Sequence, residues 1–239
     1  RLRPGMRVLG NDSHAPTLGA HGVAAFAGQP TTVAAALHTG RLVTRVPETL
    51  RIVVAGRLRP GVSARDAALA LLARLRDDDG VPRRSVGKAL EFAGPGLAHL
   101  SRGERAVLAN AAPEAVAATA IFTSDAAAPP GRQTRKPEAD AVVLDLGEIE
   151  PAVARGPDPT DVVSLERLAT TRVDRVFVGT CAGGTYEEIA AFASALTGPV
   201  EVPTQVAPAS EAVARRLERA GVLARLRRAD VELLPPGCG

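Results

Sequence analysis

The chain reads as an α/β protein built on parallel sheets, and three observations carry that reading. From residue 141 onward, short apolar runs ended by glycine or proline alternate with stretches of helical periodicity, the pattern of successive strand–helix units. Earlier, an apolar run at 50–56 leads through a turn into a capped helix. Hydrophobic residues make up 46% of the 239 positions and aromatics only 3%, so the core must come from Ala, Val, Leu and Ile.

Taken in order, Arg7-Val8-Leu9 is a short strand running into the polar loop Gly10-Asn11-Asp12-Ser13-His14. The small apolar residues from Gly19 to Leu37 suit two short, closely packed helices. Leu50–Gly56 is a strand and Arg59-Pro60-Gly61 a turn. Ser63 with Asp66 three residues on forms a capping box, opening a helix to about Arg76 whose Ala67, Leu71, Leu72 and Leu75 share a face. Asp77-Asp78-Asp79-Gly80 is read as the exposed end of that helix rather than as a metal site. Ser101 and Glu104 cap another helix, expected to reach about Ala118. The Ala-, Pro- and charge-rich stretch 125–140 is a linker, dividing an expected first domain, 1–124, from a second, 141–239. The second domain carries strands at 141–146, 173–179, 204–207 and 231–234, with helices at 187–196 and 210–220. Ligands bind beyond the carboxyl ends of such strands, which is where Cys181 and Cys238 fall.

Composition narrows the function classes. The formal net charge is +3, carried almost wholly by arginine interleaved with acid, as on a solvated surface. With no tryptophan and one tyrosine, a base-stacking RNA platform is not expected. No apolar run approaches the roughly 18 residues of a membrane helix, and Arg1–Met6 lacks the apolar segment of a signal peptide. The expected location is therefore cytoplasmic, without membrane or nucleic-acid partners. Two cysteines cannot build a disulfide framework or a four-thiolate metal site. The chain opens at Arg1 and stops at Gly239, and is read as a piece of something longer.

Two constellations carry chemistry. Asp12-Ser13-His14 places a carboxylate, a hydroxyl and an imidazole in one loop, a set able to move protons and bind a polar substrate; by itself it is equally a turn with a surface histidine. Cys181 sits in Gly179-Thr180-Cys181-Ala182-Gly183-Gly184, after a strand and before a helix, where a thiolate is favoured. Cys238 sits in a second tight loop, and either cysteine alone is equally a small buried residue.

In order along the chain, these pieces resemble the aconitase superfamily. Gly10-Asn-Asp-Ser-His-Ala-Pro-Thr, then Gly19-Ala-His-Gly-Val-Ala-Ala-Phe, is similar to its GTDSHTPN segment and glycine-rich continuation. Val46-Pro-Glu-Thr-Leu and Pro60-Gly-Val-Ser-Ala-Arg-Asp match its VPET and PGVSAKD stretches. Leu90-Glu-Phe-Ala-Gly-Pro-Gly, Leu100-Ser-Arg-Gly-Glu-Arg, Asn110-Ala-Ala-Pro-Glu114 and Leu144-Asp-Leu-Gly-Glu-Ile-Glu-Pro151 resemble four further landmarks. Val176-Phe-Val-Gly-Thr-Cys181, Ala207-Pro-Ala-Ser210 and Pro235-Pro-Gly-Cys238-Gly resemble VFIGSC, PAS and PPGCGPC. The compact spacing leans toward the large subunits of 3-isopropylmalate dehydratase and homoaconitase.

That resemblance implies aconitase-like α/β/α domains packed around a cluster site. It implies a hydro-lyase that dehydrates and rehydrates a hydroxy di- or tricarboxylic acid on a [4Fe–4S] cluster. Cys181 and Cys238 would be two of three thiolate ligands, the third lying beyond Gly239. His14 would pair with Glu114, Asp12 would join a companion ion pair, Ser13 would bind a substrate carboxylate, and Asn110 would lie close to the cluster. The partner would be a small subunit or a C-terminal swivelling domain bearing a serine base and an arginine, so the chain alone should not turn over substrate. Ala15 stands where the family commonly has Thr, and Ala182-Gly183 where it has Thr-Asn. The second of these departures motivates an alternative: a diverged enzyme acting on an unusual hydroxy acid in specialised metabolism. A non-catalytic RNA-binding relative, suggested only by the basic charge, is the remaining one.

Overall fold

The computed structural model describes residues 2–77, 84–123, 140–168 and 170–237. The chain forms two compact units, residues 1–165 and 166–239.

The first unit is organised by a four-stranded parallel sheet. Its strands are β3 (Thr49–Ala55), β4 (Ala89–Ala93), β5 (Thr119–Phe122) and β6 (Val142–Asp145), in the order β5-β4-β3-β6. Register aligns Phe122, Phe92, Ile52 and Val142 in one row across all four strands, and all four are buried. Two helices cover this row, α2 (Ala64–Leu75) and α3 (Arg102–Ala109), through Ala67, Leu71, Leu75, Val107 and Leu108. The periodicity read from the sequence is therefore the buried face.

Local signals fix where α2 begins. The Ser63 hydroxyl accepts from the Asp66 N–H, and Asp66 Oδ2 accepts from the Ser63 N–H at 2.8 Å. Ser63→Ala should cost about 1 kcal/mol, read as a lower denaturant midpoint at unchanged m-value. An unchanged midpoint would show that the cap is energetically idle.

Two expectations are corrected. Within 19–37 the first helix is a 3₁₀ segment, Ala15–His21, and it is followed by a strand, β2 (Ala24–Ala27), before α1 (Pro30–Thr39). Residues 24–27 pair in parallel with β1 (Arg7–Gly10), and the buried Thr119 hydroxyl donates to the Ala25 carbonyl at 2.6 Å. Tertiary pairing thus overrides the helix propensity of an alanine-rich run. The helix capped by Ser101 ends at Ala109 and adds only the single turn α4 (Ala111–Glu114). Pro113 has no N–H for the Ala109 carbonyl and its ring crowds it.

The compact units follow strand pairing. The expected linker, 125–140, lies outside the described residues except for Asp140. Residues 141–165 belong to the first unit, because β6 pairs with β3. Beyond β6, β7 (Ala152–Ala154) and β8 (Val162–Ser164) form an antiparallel pair, fastened where Asp66 Oδ1 accepts from the Ala152 N–H at 2.9 Å. Next to β8, the Thr160 hydroxyl and N–H hold the Asp158 carboxyl below the usual carboxylate range, helped by Arg76 of the segment after α2.

The second unit is a three-stranded parallel sheet, β11-β10-β9, of β9 (Val176–Gly179), β10 (Thr204–Ala207) and β11 (Glu232–Leu233). Between the strands lie α5 (Thr180–Gly183), α6 (Tyr186–Ala195), α7 (Glu211–Arg219) and α8 (Val222–Arg228). Ile189, Leu217 and Leu226 pack with the Val178–Val206–Leu233 row. The opposite row is Phe177–Gln205–Glu232, in which Gln205 Nε2 donates to Glu232 at 2.7 Å. Among the described residues no helix is long and apolar enough to cross a membrane.

Candidate functional site

The Asp12-Ser13-His14 loop leaves the carboxyl end of β1. Asp12 Oδ1 accepts from the His14 N–H at 2.7 Å and the Asp12 carbonyl accepts from the Ala15 N–H at 3.0 Å, a side-chain-stabilised turn. The His14 Nδ1 atom lies 3.3 Å from Ser13 Oγ and 3.7 Å from Asp12 Oδ1. The His14 side chain is 28% exposed, so a small solute can reach it. An imidazole beside a carboxylate and a hydroxyl is an arrangement suited to general acid–base work.

The 3₁₀ segment that follows carries this loop onto the core. Thr17 donates its hydroxyl hydrogen bond to Asn110 Oδ1, and Asn110 is buried at the junction of α3 and α4. Gly19 is buried against β5, where an added Cβ would lie 2.7 Å from the Ala120 carbonyl carbon. Thr17 and Gly19 are the residues that sequence reading does not single out as supports. Their only signal is their position in the small-residue run after His14.

The structure thus links the His14 loop to Asn110 through Thr17 but does not pair His14 with Glu114. Glu114 is exposed at the end of α4, and the carboxylate beside the imidazole is Asp12. An Asx turn two residues long brings Asp12 to His14.

Cys181 lies in α5, directly after β9. The residue before it, Thr180, has φ +73°, a left-handed backbone that a β-branched residue adopts only at a cost of about 1–3 kcal/mol. The Thr180 hydroxyl accepts from the Ala182 N–H at 3.1 Å, and the Gly184 N–H donates to the Thr180 carbonyl at 2.8 Å. Cys238 lies outside the described residues. Among those residues, no three of His, Cys, Asp and Glu converge to hold a metal ion. A histidine–carboxylate metal centre is therefore not formed there. Cys181 follows a parallel strand and Cys238 is the second cysteine of the sequence, and cysteine thiolates are the usual ligands of iron–sulfur clusters.

Comparison with known proteins places the chain in a family. The family described as Aconitase family (aconitate hydratase) matches residues 1–129 and 132–239. The chain is 36% identical over 233 residues to 3-isopropylmalate dehydratase large subunit 2 of Pyrococcus furiosus, covering 97% of this chain and 57% of that protein. It is 38% identical over 244 residues to large subunit 2 of Methanopyrus kandleri, covering 99% and 58%. It is 35% identical over 250 residues to the probable methanogen homoaconitase large subunit of Methanosarcina mazei, covering 99% and 63%. The chain therefore spans about three-fifths of the length of these relatives. In fold it is similar to the crystal structure of Thermococcus kodakaraensis aconitase X in its holo form, at TM-score 0.59 and 13% identity over 99% of this chain and 58% of that one. The chain belongs to the aconitase family.

Proposed function

We propose that this chain is the core of a hydro-lyase that dehydrates and rehydrates a hydroxy di- or tricarboxylic acid, with 3-isopropylmalate the leading substrate. The observation that carries the reading is the match to the aconitase family over residues 1–129 and 132–239; the resemblance of the sequence around Asp12-Ser13-His14, Asn110, Glu114, Cys181 and Cys238 to family segments supports the choice of residues. The cofactor of the proposal is a [4Fe–4S] cluster held by Cys181, Cys238 and a third cysteine. When bound, such a cluster offers an open iron as Lewis acid to the substrate hydroxyl and carboxylate.

This chain's residues supply the rest. His14 moves the proton to the departing hydroxyl, with Asp12 holding the imidazole and stabilising its charged form. Ser13 binds a substrate carboxylate, Asn110 orients the His14 loop through Thr17, and Glu114 serves as a second acid–base group. The relatives are named large subunits, which supports a small-subunit or swivelling-domain partner that completes the site.

Anaerobic reconstitution of the full-length protein with ferrous iron and sulfide should give broad visible absorption and a reduced-state EPR signal, both removed by Cys181→Ser. Absence of these signals with all three cysteines intact would overturn the cluster. A second reading, a diverged enzyme for another hydroxy acid, is favoured by Ala182-Gly183 in place of the family's Thr-Asn. A substrate panel separates the two, since ordinary turnover of 3-isopropylmalate counts against divergence.

A further inference from the structure

Two basic side chains meet at the carboxyl end of the four-stranded sheet. Arg57 follows β3, and His99 ends the 3₁₀ segment Pro95–His99 that follows β4. The Arg57 guanidinium donates from Nη2 to His99 Nδ1 at 3.3 Å. An arginine can only donate, so Nδ1 accepts and the proton of the uncharged ring sits on Nε2. The other Arg57 N–H groups and the His99 Nε2–H have no acceptor among the described residues, and both side chains are exposed. Elsewhere paired arginines at the surface face carboxylates, as in Arg155–Asp161, Arg172–Asp174 and Arg227–Glu218. Here the partner is a second base.

The pair stands on fixed backbone. Gly94 and Gly96 let the 3₁₀ segment lie directly on the end of β3: a Cβ on Gly94 would fall 2.5 Å from the Val54 carbonyl oxygen, and one on Gly96 2.9 Å from the Ala55 carbonyl carbon. Arg105 of α3 ties the same segment down, donating to the Leu97 and Leu100 carbonyls at 2.7 and 3.2 Å. The chain after Arg57 is fastened two residues on, where Arg59 donates to the Ile149 carbonyl at 2.8 Å. Two carboxylates lie on the β6 side, Asp145 and Glu148. Asp145 Oδ1 accepts from the Gly147 N–H at 2.9 Å, and among the described residues neither forms an ion pair with Arg57.

We infer that Arg57 and His99 form a binding site for a small oxyanion, a carboxylate or phosphate group, at the carboxyl ends of β3 and β4. The strand order reverses at β3, with β4 and β5 to one side and β6 to the other, and ligands of open parallel sheets bind beyond the carboxyl end at such a reversal. A guanidinium presents its N–H groups as a fork matched to two oxygens of one oxyanion, and the imidazole Nε2–H adds a donor beside it. Because the two side chains already hold one another, less ordering opposes binding. The site is separate from the His14 loop, which packs through Gly19 on Ala120 near the start of β5. It does not rest on the hydro-lyase reading.

The test is a residue-resolved NMR titration of the chain at fixed pH, with inorganic phosphate or malonate added and chloride as the control at matched ionic strength. Amide and side-chain signals of Arg57 and His99 should move along a saturating curve with a Kd of about 10 mM or tighter. Arg57→Gln and His99→Ala change exposed side chains and should keep the fold, and each should weaken binding at least about tenfold, because charge-assisted hydrogen bonds are the strong ones. Arg172→Gln removes a charge elsewhere and should leave the curve unchanged. Saturation by malonate alone identifies a carboxylate ligand and by phosphate alone a phosphorylated one; either result supports the site.

Signals at Arg57 and His99 that fail to saturate, or that chloride reproduces, report screening alone and overturn the site. So does unchanged affinity in either Arg57→Gln or His99→Ala, or an equal loss in Arg172→Gln. Movement confined to residues 12–17 puts the anion on the His14 loop and overturns the proposal as well. None of these readouts involves iron or turnover, so failure of the cluster reading leaves the oxyanion site standing, and the reverse holds too.

Discussion

Gly19→Ala is expected to destabilise the first unit by roughly 3 kcal/mol or more and to loosen the Asp12-Ser13-His14 loop. A single methyl is added, but its place is taken by backbone: the Cβ would fall 2.7 Å from the carbonyl carbon of Ala120 and closer still to its oxygen. Ala120 is in β5, fully buried and paired with Leu90 of β4, so it cannot yield as the end of a flexible side chain would. The 3₁₀ segment must lift instead, and lifting it strains the Thr17–Asn110 and Thr119–Ala25 hydrogen bonds together. Overpacking of this kind costs about 1–3 kcal/mol, and broken buried hydrogen bonds add about 1–3 kcal/mol each. Denaturant unfolding gives the total, and hydrogen exchange gives the place. Exchange should quicken in peptides covering 8–28 and 117–123. A midpoint shift worth less than about 0.5 kcal/mol would refute the close approach.

Phe92→Ala should cost about 3–5 kcal/mol. Phe92 is fully buried in the central row of the four-stranded sheet, beside Ile52 on one strand and Phe122 on the other. Its ring stacks on Phe122 with centroids 4.5 Å apart and planes 5° from parallel. Its neighbours Ile52 and Phe122 are held on paired strands of the sheet, so the space that truncation leaves is filled only in part and a cavity persists. Phe92→Leu retains most of the volume and should lose about half as much. Equal losses for the two variants would show that ring stacking, and not volume, is what Phe92 contributes.

The residues from Val176 to Leu233 are legible in sequence because each signal there is local. Short runs rich in apolar residues stop at glycine or proline, and Thr185 and Ser210 cap the two helices read there, α5 and α8 being the exceptions. The capping boxes at Ser63 and Ser101 are legible for the same reason. The stretch 24–27 is not, since alanines that favour a helix in isolation are claimed by β1 and by Thr119, whose partner Ala25 is 94 residues away. Likewise the sequence separates into domains at a change of composition, whereas the compact units divide at 165 because β6 completes the sheet begun by β3. Composition reports what a segment is made of; strand pairing decides what it joins.

The candidate site divides along the same line. Asp12, Ser13 and His14 are adjacent in the chain, and their turn follows from short-range hydrogen bonds, so the sequence by itself determines that trio and the thiols at Cys181 and Cys238. What Asn110 holds and what stands between Gly184 and Gly237 are settled only by tertiary structure. Asn110 meets Thr17 across 93 residues, and the Pro208–Ala209 amide, hydrogen-bonded to the Gly184 carbonyl and the Gly237 N–H, reaches two turns that no periodicity connects. Such contacts depend on how buried backbone groups find partners once the sheets have formed, and that pairing is a property of the fold rather than of any stretch of sequence.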